Sequence, residues 1–136
     1  MSKLYLAYGS NLNKKQMAVR CPTARPVGSA MIYGWELVFR GVADIVKSKD
    51  KNMCVPVGLW ELEPEDELSL DVYEGAGIMT YQMTSDGIYA PSTSYFNSIL
   101  EGYRDFGLDT SYLYDSAGWA GYQSNQSDNV FGLEAV

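Results

Sequence analysis

The chain has 136 residues, 46% of them hydrophobic and 13% aromatic, and 10 basic against 17 acidic side chains give a formal net charge of −7. That length fits one domain with enough apolar material for a core, and the charge disfavours a surface built to neutralise nucleic-acid phosphates or to bind anionic membranes. Histidine is absent, which removes Ser-His-Asp and Cys-His chemistry and disfavours a zinc site, so proton transfer in an enzyme of this composition falls to a carboxylate, a tyrosine or a lysine.

No apolar run approaches the roughly 18–20 residues of a transmembrane helix, and the N-terminus lacks the apolar core of a signal peptide. Cys21 and Cys54 form neither a CxxC pair nor a disulfide framework, so a reduced, cytoplasmic setting is the expectation. No cofactor or metal is expected, and a monomer is the default. One domain is expected over residues 1–136, with 118–136 as a loosely held tail.

In chain order, Lys3 to Tyr8 reads as a first strand and Gly9-Ser10-Asn11 as a turn. A helix follows from about Asn13 to Arg20, stopped at Cys21-Pro22 because the residue before proline avoids the helical region. Residues 27–40 carry two strand-like stretches, and the second, Trp35 to Phe39, alternates apolar and polar at its start. Lys47 to Asn52 is a charged loop. Val55 to Leu62 reads as a strand whose Pro56 predicts an edge or a strand start. Pro64-Glu65-Asp66-Glu67 opens a helix with proline and acidic residues in its first turn, and that helix is expected to carry Leu68, Leu70 and Val72 toward Glu74. Ile78 to Met83 is a short strand. Ser92 to Phe106 is the longest helix, with Tyr95, Ile99, Tyr103 and Phe106 as an apolar stripe and Gly107 as its C-terminal cap. A short helix near 110–117 ends the pattern. Strands with interspersed helices predict a mixed α/β or α+β domain.

Three places could carry chemistry. Tyr8-Gly9-Ser10-Asn11-Leu12 joins a strand to a helix. Glycine lets the backbone turn sharply, and free N–H groups at a helix start suit a carboxylate or phosphate; the alternative is an ordinary capped turn. Glu74 precedes Gly75 and follows Tyr73, where apolar neighbours would raise its pKa toward that of a general base; the alternative is a surface glutamate at a helix C-terminus, an electrostatically poor position. Tyr81 is one of 11 tyrosines and is either packing or chemistry.

Taken together, Tyr8-Gly9-Ser10-Asn11-Leu12, Met17 with Arg20-Cys21-Pro22, and Gly34-Trp35-Glu36-Leu37-Val38-Phe39 resemble the N-terminal half of gamma-glutamylcyclotransferase-like proteins. Gly41 to Ile45 and Val57 to Leu62 continue the likeness. Leu70-Asp71-Val72-Tyr73-Glu74-Gly75 looks like the segment with the family's catalytic glutamate, and Ala90 to Tyr95 with Ile99 to Tyr103 looks like its final helix. The resemblance spans roughly residues 3 to 117 in the family's order. It implies an α+β fold: a small, closed or nearly closed mixed β-barrel surrounded by helices. It implies a small-molecule γ-glutamyl substrate whose carboxylate end is held by backbone amides at 8–12, with Tyr81 lining the pocket. It implies that Glu74 takes a proton from the substrate's α-amine, which attacks the γ-carbonyl to give 5-oxoproline and a free amine. A catalytically silent ligand binder on the same fold is the alternative. The family has a longer hairpin after its Glu-Gly, whereas here only Ala76 and Gly77 precede Ile78. Either a hairpin is lost or the numbering runs across a break; we expect the break, with one Cα separation between Glu74 and Thr80 well beyond about 3.8 Å.

Overall fold

The computed structural model describes residues 3–70, 73–75, 78–80 and 87–128. Strand β1 (Lys3–Ala7) buries Tyr5 and Ala7 at alternating positions, as a strand with one face on the core must. A 3-10 turn at Ser10–Leu12 leads into helix α1 (Lys14–Arg20). The side chain of Asn13 caps that helix by accepting from the N–H of Gln16 at 3.1 Å. Strands β2 (Arg25–Tyr33), β3 (Trp35–Arg40), β4 (Val42–Lys47) and β5 (Cys54–Leu62) follow. Single glycines at positive φ, Gly34 at 82° and Gly41 at 82°, turn β2 into β3 and β3 into β4.

The strands form a five-stranded sheet, in the order β2-β5-β1-β7-β6, and a separate β3-β4 ribbon. Here β6 is Tyr73–Gly75 and β7 is Ile78–Thr80. All neighbours are antiparallel except β1 and β7, which run parallel. Backbone bonds at Gly34 tie the ribbon to the sheet: its N–H donates to Met53 O at 2.7 Å and its carbonyl accepts from Ser48 at 2.9 Å. The expected α+β content is present. The closed barrel is not formed among the described strands, because β2 and β6 end the sheet as edges and the ribbon pairs only within itself.

Helix α3 (Thr93–Asp105) packs on the core through Ile99 and Tyr103, as the sequence stripe predicts. Its end has the Schellman pattern: Gly107 at φ 67° donates to Arg104 O, and Leu108 donates to Tyr103 O. Gly102 is the close-approach point, since a Cβ there would lie 2.5 Å from Leu12 Cβ and 2.7 Å from the Leu12 carbonyl carbon. Asn13 reinforces that contact by donating through Nδ2 to Ser98 O at 3.0 Å.

Pro56 is the third residue of β5, in the stretch that has no β1 partner, as a proline at a strand start or local edge requires. Three expectations are corrected. The helix opening at Pro64 ends at Glu67, where Leu68 turns away, and α2 (Pro64–Glu67) never reaches Glu74. Glu74 is the middle residue of β6, not a helix terminus. Residues 118–128, expected to follow the last helix, form the second half of α4 (Ser111–Asp128), whose Leu113 and Ala120 are buried and whose Ser116 Oγ donates to Leu37 O at 2.7 Å. The chain break was expected at residues that lie outside those described. On either side of them Gly75 pairs with Ile78, the register of a hairpin closed by two residues.

Candidate active site

A cavity of ≈ 330 Å³ opens where β1 ends. The turn supplies Tyr8, Gly9, Ser10 and Asn11, α1 supplies Arg20, and the ribbon tip supplies Val42. Ser69 and Leu70 close one side, and Tyr95 enters from α3. The turn's geometry follows from the 3-10 pattern: Leu12 N–H donates to Gly9 O and Asn13 N–H to Ser10 O, each at 3.0 Å. A turn of this kind offers no internal acceptor to the N–H groups of its first residues, here Ser10 and Asn11. Gly9 has little room for a side chain, since a Cβ would sit 3.2 Å from Ala43 Cβ and 3.4 Å from Tyr95 Oη.

Asn11 is fixed at three points. Its Nδ2 donates to Tyr5 Oη at 2.9 Å, its carbonyl accepts from Trp60 Nε1 at 2.9 Å, and its Oδ1 accepts from Arg20 Nη1. Arg20 also reaches Ser10 Oγ at 3.4 Å and Gln16 Oε1 at 2.7 Å. Burial pushes the Tyr5 hydroxyl up to about 12, against a smaller lowering by the Asn11 hydrogen bond, so it stays protonated at neutral pH. Burial, with Asp66 nearby, also raises the Cys21 thiol, which disfavours a thiolate beside Arg20. Tyr95 Oη accepts from Ala43 N–H at 3.0 Å and ties the ribbon to α3 beside Gly9.

Of the residues singled out in the sequence, Tyr8, Gly9, Ser10 and Asn11 come together at the cavity. Leu12 does not: it is fully buried, against Gly58 and Gly102, and its N–H is taken by Gly9. Glu74 pairs with Met79, which pairs with Tyr5 on β1, so its backbone stands two strands from a residue of the cavity wall. Tyr81 lies outside the described residues. Sequence reasoning missed Arg20 and Tyr95 as wall residues. Arg20 lies four residues after Gln16 on the helix face toward the turn, a spacing that was readable; Tyr95 was absorbed into the core stripe. A second cavity, ≈ 240 Å³, lies between α4 and Cys54, but its charged wall residues are Glu36 and Asp115, a poor match for an anion. Among the described residues no cluster of His, Cys, Asp or Glu suits a metal ion, and no helix is long and apolar enough to cross a membrane.

The fold of this chain is shared with solved structures. A structure named gamma-glutamyl cyclotransferase superposes with a TM-score of 0.73 at 25% identity over 85% of this chain and 86% of that one. An uncharacterized protein from Homo sapiens gives 0.72 at 25% identity with the same coverage. YkqA from Bacillus subtilis shares the fold alone, with a TM-score of 0.61 at 18% identity over 90% of this chain and 55% of its own. No protein-family model and no curated protein matches the chain. This likeness in structure supports a gamma-glutamylcyclotransferase-like family for the chain.

Proposed function

We propose that the protein cyclises a small γ-glutamyl amide or peptide, releasing 5-oxoproline and an amine, with Glu74 as general acid/base. One observation carries the reading: a single cavity is lined by the amide-bearing turn Tyr8–Asn11 and by Tyr5, and the sheet register sets Glu74 level with Tyr5. A substrate whose carboxylate and α-amine share one carbon needs its anion site and its base within about one small-molecule diameter, in one concave place.

In this reading the turn's N–H groups hold the α-carboxylate. Glu74 accepts a proton from the α-ammonium group, and the free amine attacks the γ-carbonyl of the same molecule. The ring nitrogen loses its second proton to solvent, and the C–N bond to the leaving amine breaks as Glu74 returns the first proton to the leaving nitrogen. The nucleophile belongs to the substrate, so no Ser, Cys or His of the protein is needed, and holding the substrate folded supplies much of the acceleration. Tyr81 would line the same pocket. The free thiols Cys21 and Cys54 fit a reducing, cytoplasmic setting. The test is 5-oxoproline release from a panel of γ-glutamyl amides.

A specific observation favours a second reading, a binder without chemistry on the same fold. The connection between the paired residues Gly75 and Ile78 is two residues long, so the wall that a longer hairpin would build beside Glu74 is short. Saturable binding of γ-glutamyl amides without any 5-oxoproline would select it.

A further inference from the structure

We propose that Arg20 is the residue that recognises the carboxylate of the ligand in the cavity at Tyr8–Asn11, supplying a full positive charge that the turn's N–H groups lack. The inference rests on the γ-glutamyl reading only for the identity of that carboxylate.

The observation is an arginine held firmly without being neutralised. Its guanidinium donates to Asn11 Oδ1, to Ser10 Oγ at 3.4 Å and to Gln16 Oε1 at 2.7 Å, and all three acceptors are uncharged. None of the nine other Lys and Arg side chains lines this cavity, and four of them are ion-paired. Lys3 pairs with Glu67, Lys15 with Glu101, Arg25 with Glu61 and Arg40 with Asp44. Among the described residues Arg20 forms no such ion pair, although it lines the cavity. An arginine with no role at the site would be free to sweep through solvent or to join a carboxylate. Here three neutral oxygens fix the plane of the group and leave its charge for an incoming anion.

The same bonds make Arg20 a brace. Through Asn11 Oδ1 it sets the amide whose Nδ2 donates to Tyr5 Oη, and through Ser10 Oγ it touches the first residue of the 3-10 turn. A guanidinium has five N–H donors in a rigid fork, so it can span these acceptors and still offer a donor to a ligand. A lysine keeps the charge but cannot span the fork.

L-Glutamine, the smallest γ-glutamyl amide, and L-glutaminamide, in which the α-carboxylate is a neutral carboxamide, separate charge recognition from bracing. Their dissociation constants are measured by calorimetric titration against wild type, Arg20→Lys and Arg20→Gln, with thermal unfolding midpoints as a control on the fold. Wild type is expected to prefer L-glutamine by about tenfold or more. Arg20→Gln should reduce that preference to about twofold, and Arg20→Lys should retain part of it. A role in bracing alone would weaken both ligands equally and leave the ratio intact. An Arg20→Gln variant with the wild-type ratio overturns the assignment, as does a wild type that binds neither ligand or both equally. A charge-dependent ratio without 5-oxoproline from any γ-glutamyl amide would keep Arg20 and remove the catalytic reading. The reverse result would do the opposite.

Discussion

Glu74 and Tyr5 stand at one level of the five-stranded sheet, each paired with Met79 on the strand between them. Two strand spacings separate their backbones by about 10 Å. The Tyr5 hydroxyl accepts from Asn11, and Asn11 accepts from Arg20, so a hydrogen-bonded line runs from helix α1 into the sheet at the level of Glu74. Tyr5→Phe cuts that line and leaves the Asn11 amide without its acceptor. We expect a stability loss of about 0.5–1.5 kcal/mol by urea denaturation and a rise in KM larger than the fall in kcat. A variant with unchanged KM would show that the turn keeps its geometry without Tyr5.

Two buried phenols make the fold sensitive to alkali. Burial raises Tyr5 from 10.0 to about 12 and raises Tyr103 further. The folded chain thus keeps protons that the unfolded chain releases, so this stability is intact below pH 10 and is lost as pH climbs from 10 toward 12. Urea midpoints should fall over that window, and the fall should be shallower in Tyr5→Phe. A flat midpoint through that window would contradict the burial of both groups.

Tyr103 offers a separate test at neutral pH. Its hydroxyl is buried with no hydrogen-bond partner among the described residues, and such a group costs about 1–3 kcal/mol relative to one that is satisfied. Tyr103→Phe removes the oxygen and keeps the ring, so the variant should be as stable as wild type or up to about 1 kcal/mol more stable. A clear loss of stability would mean that the hydroxyl has a partner after all, such as a bound water.

Gly102 and Gly118 both lie in helices and should respond oppositely to alanine. At Gly102 the new Cβ meets Leu12 Cβ at 2.5 Å and Asn13 N at 2.8 Å, which are parts of the turn and of the helix start. Gly102→Ala should cost about 1–3 kcal/mol and raise KM by displacing the turn. At Gly118 nothing lies within 4 Å of the added atom, so Gly118→Ala should stabilise α4 by up to about 1 kcal/mol. Thermal melts of the two variants moving in the same direction would contradict the packing described.

Much of this was legible from the residues alone. The short apolar run after Lys3, the helix from about Asn13 to Arg20 stopped by Cys21-Pro22, and the Ile99/Tyr103 stripe are local signals, and each element formed close to where it was expected. The strand Val42–Lys47 was missed as an element because Gly41 gives only a one-residue turn and Asp44 sits mid-strand. Asp44 is tolerated there because Arg40 Nε donates to it at 2.9 Å, a partner that sequence periodicity does not reveal. Glu74 was read as a helix end because an acidic, proline-led start suggested a long helix. The buried Asp66 instead accepts from Thr23 and from the Glu63 N–H, closing a single capped turn. At the site, the turn Tyr8–Asn11 could be read from its residue types. The cavity's far wall could not, because Val42 on β4, Leu70 beyond α2 and Tyr95 on α3 are brought together only by tertiary packing.

The most direct measurement is 5-oxoproline release from γ-glutamyl amides by wild type and by Glu74→Gln, with circular dichroism of both. Glutamine keeps the shape of the side chain and cannot accept the proton. The account predicts release by wild type, a fall of about 10²-fold or more in the variant, and superimposable spectra. An absence of 5-oxoproline with every amide tested, or a variant that turns over at the wild-type rate, would contradict it.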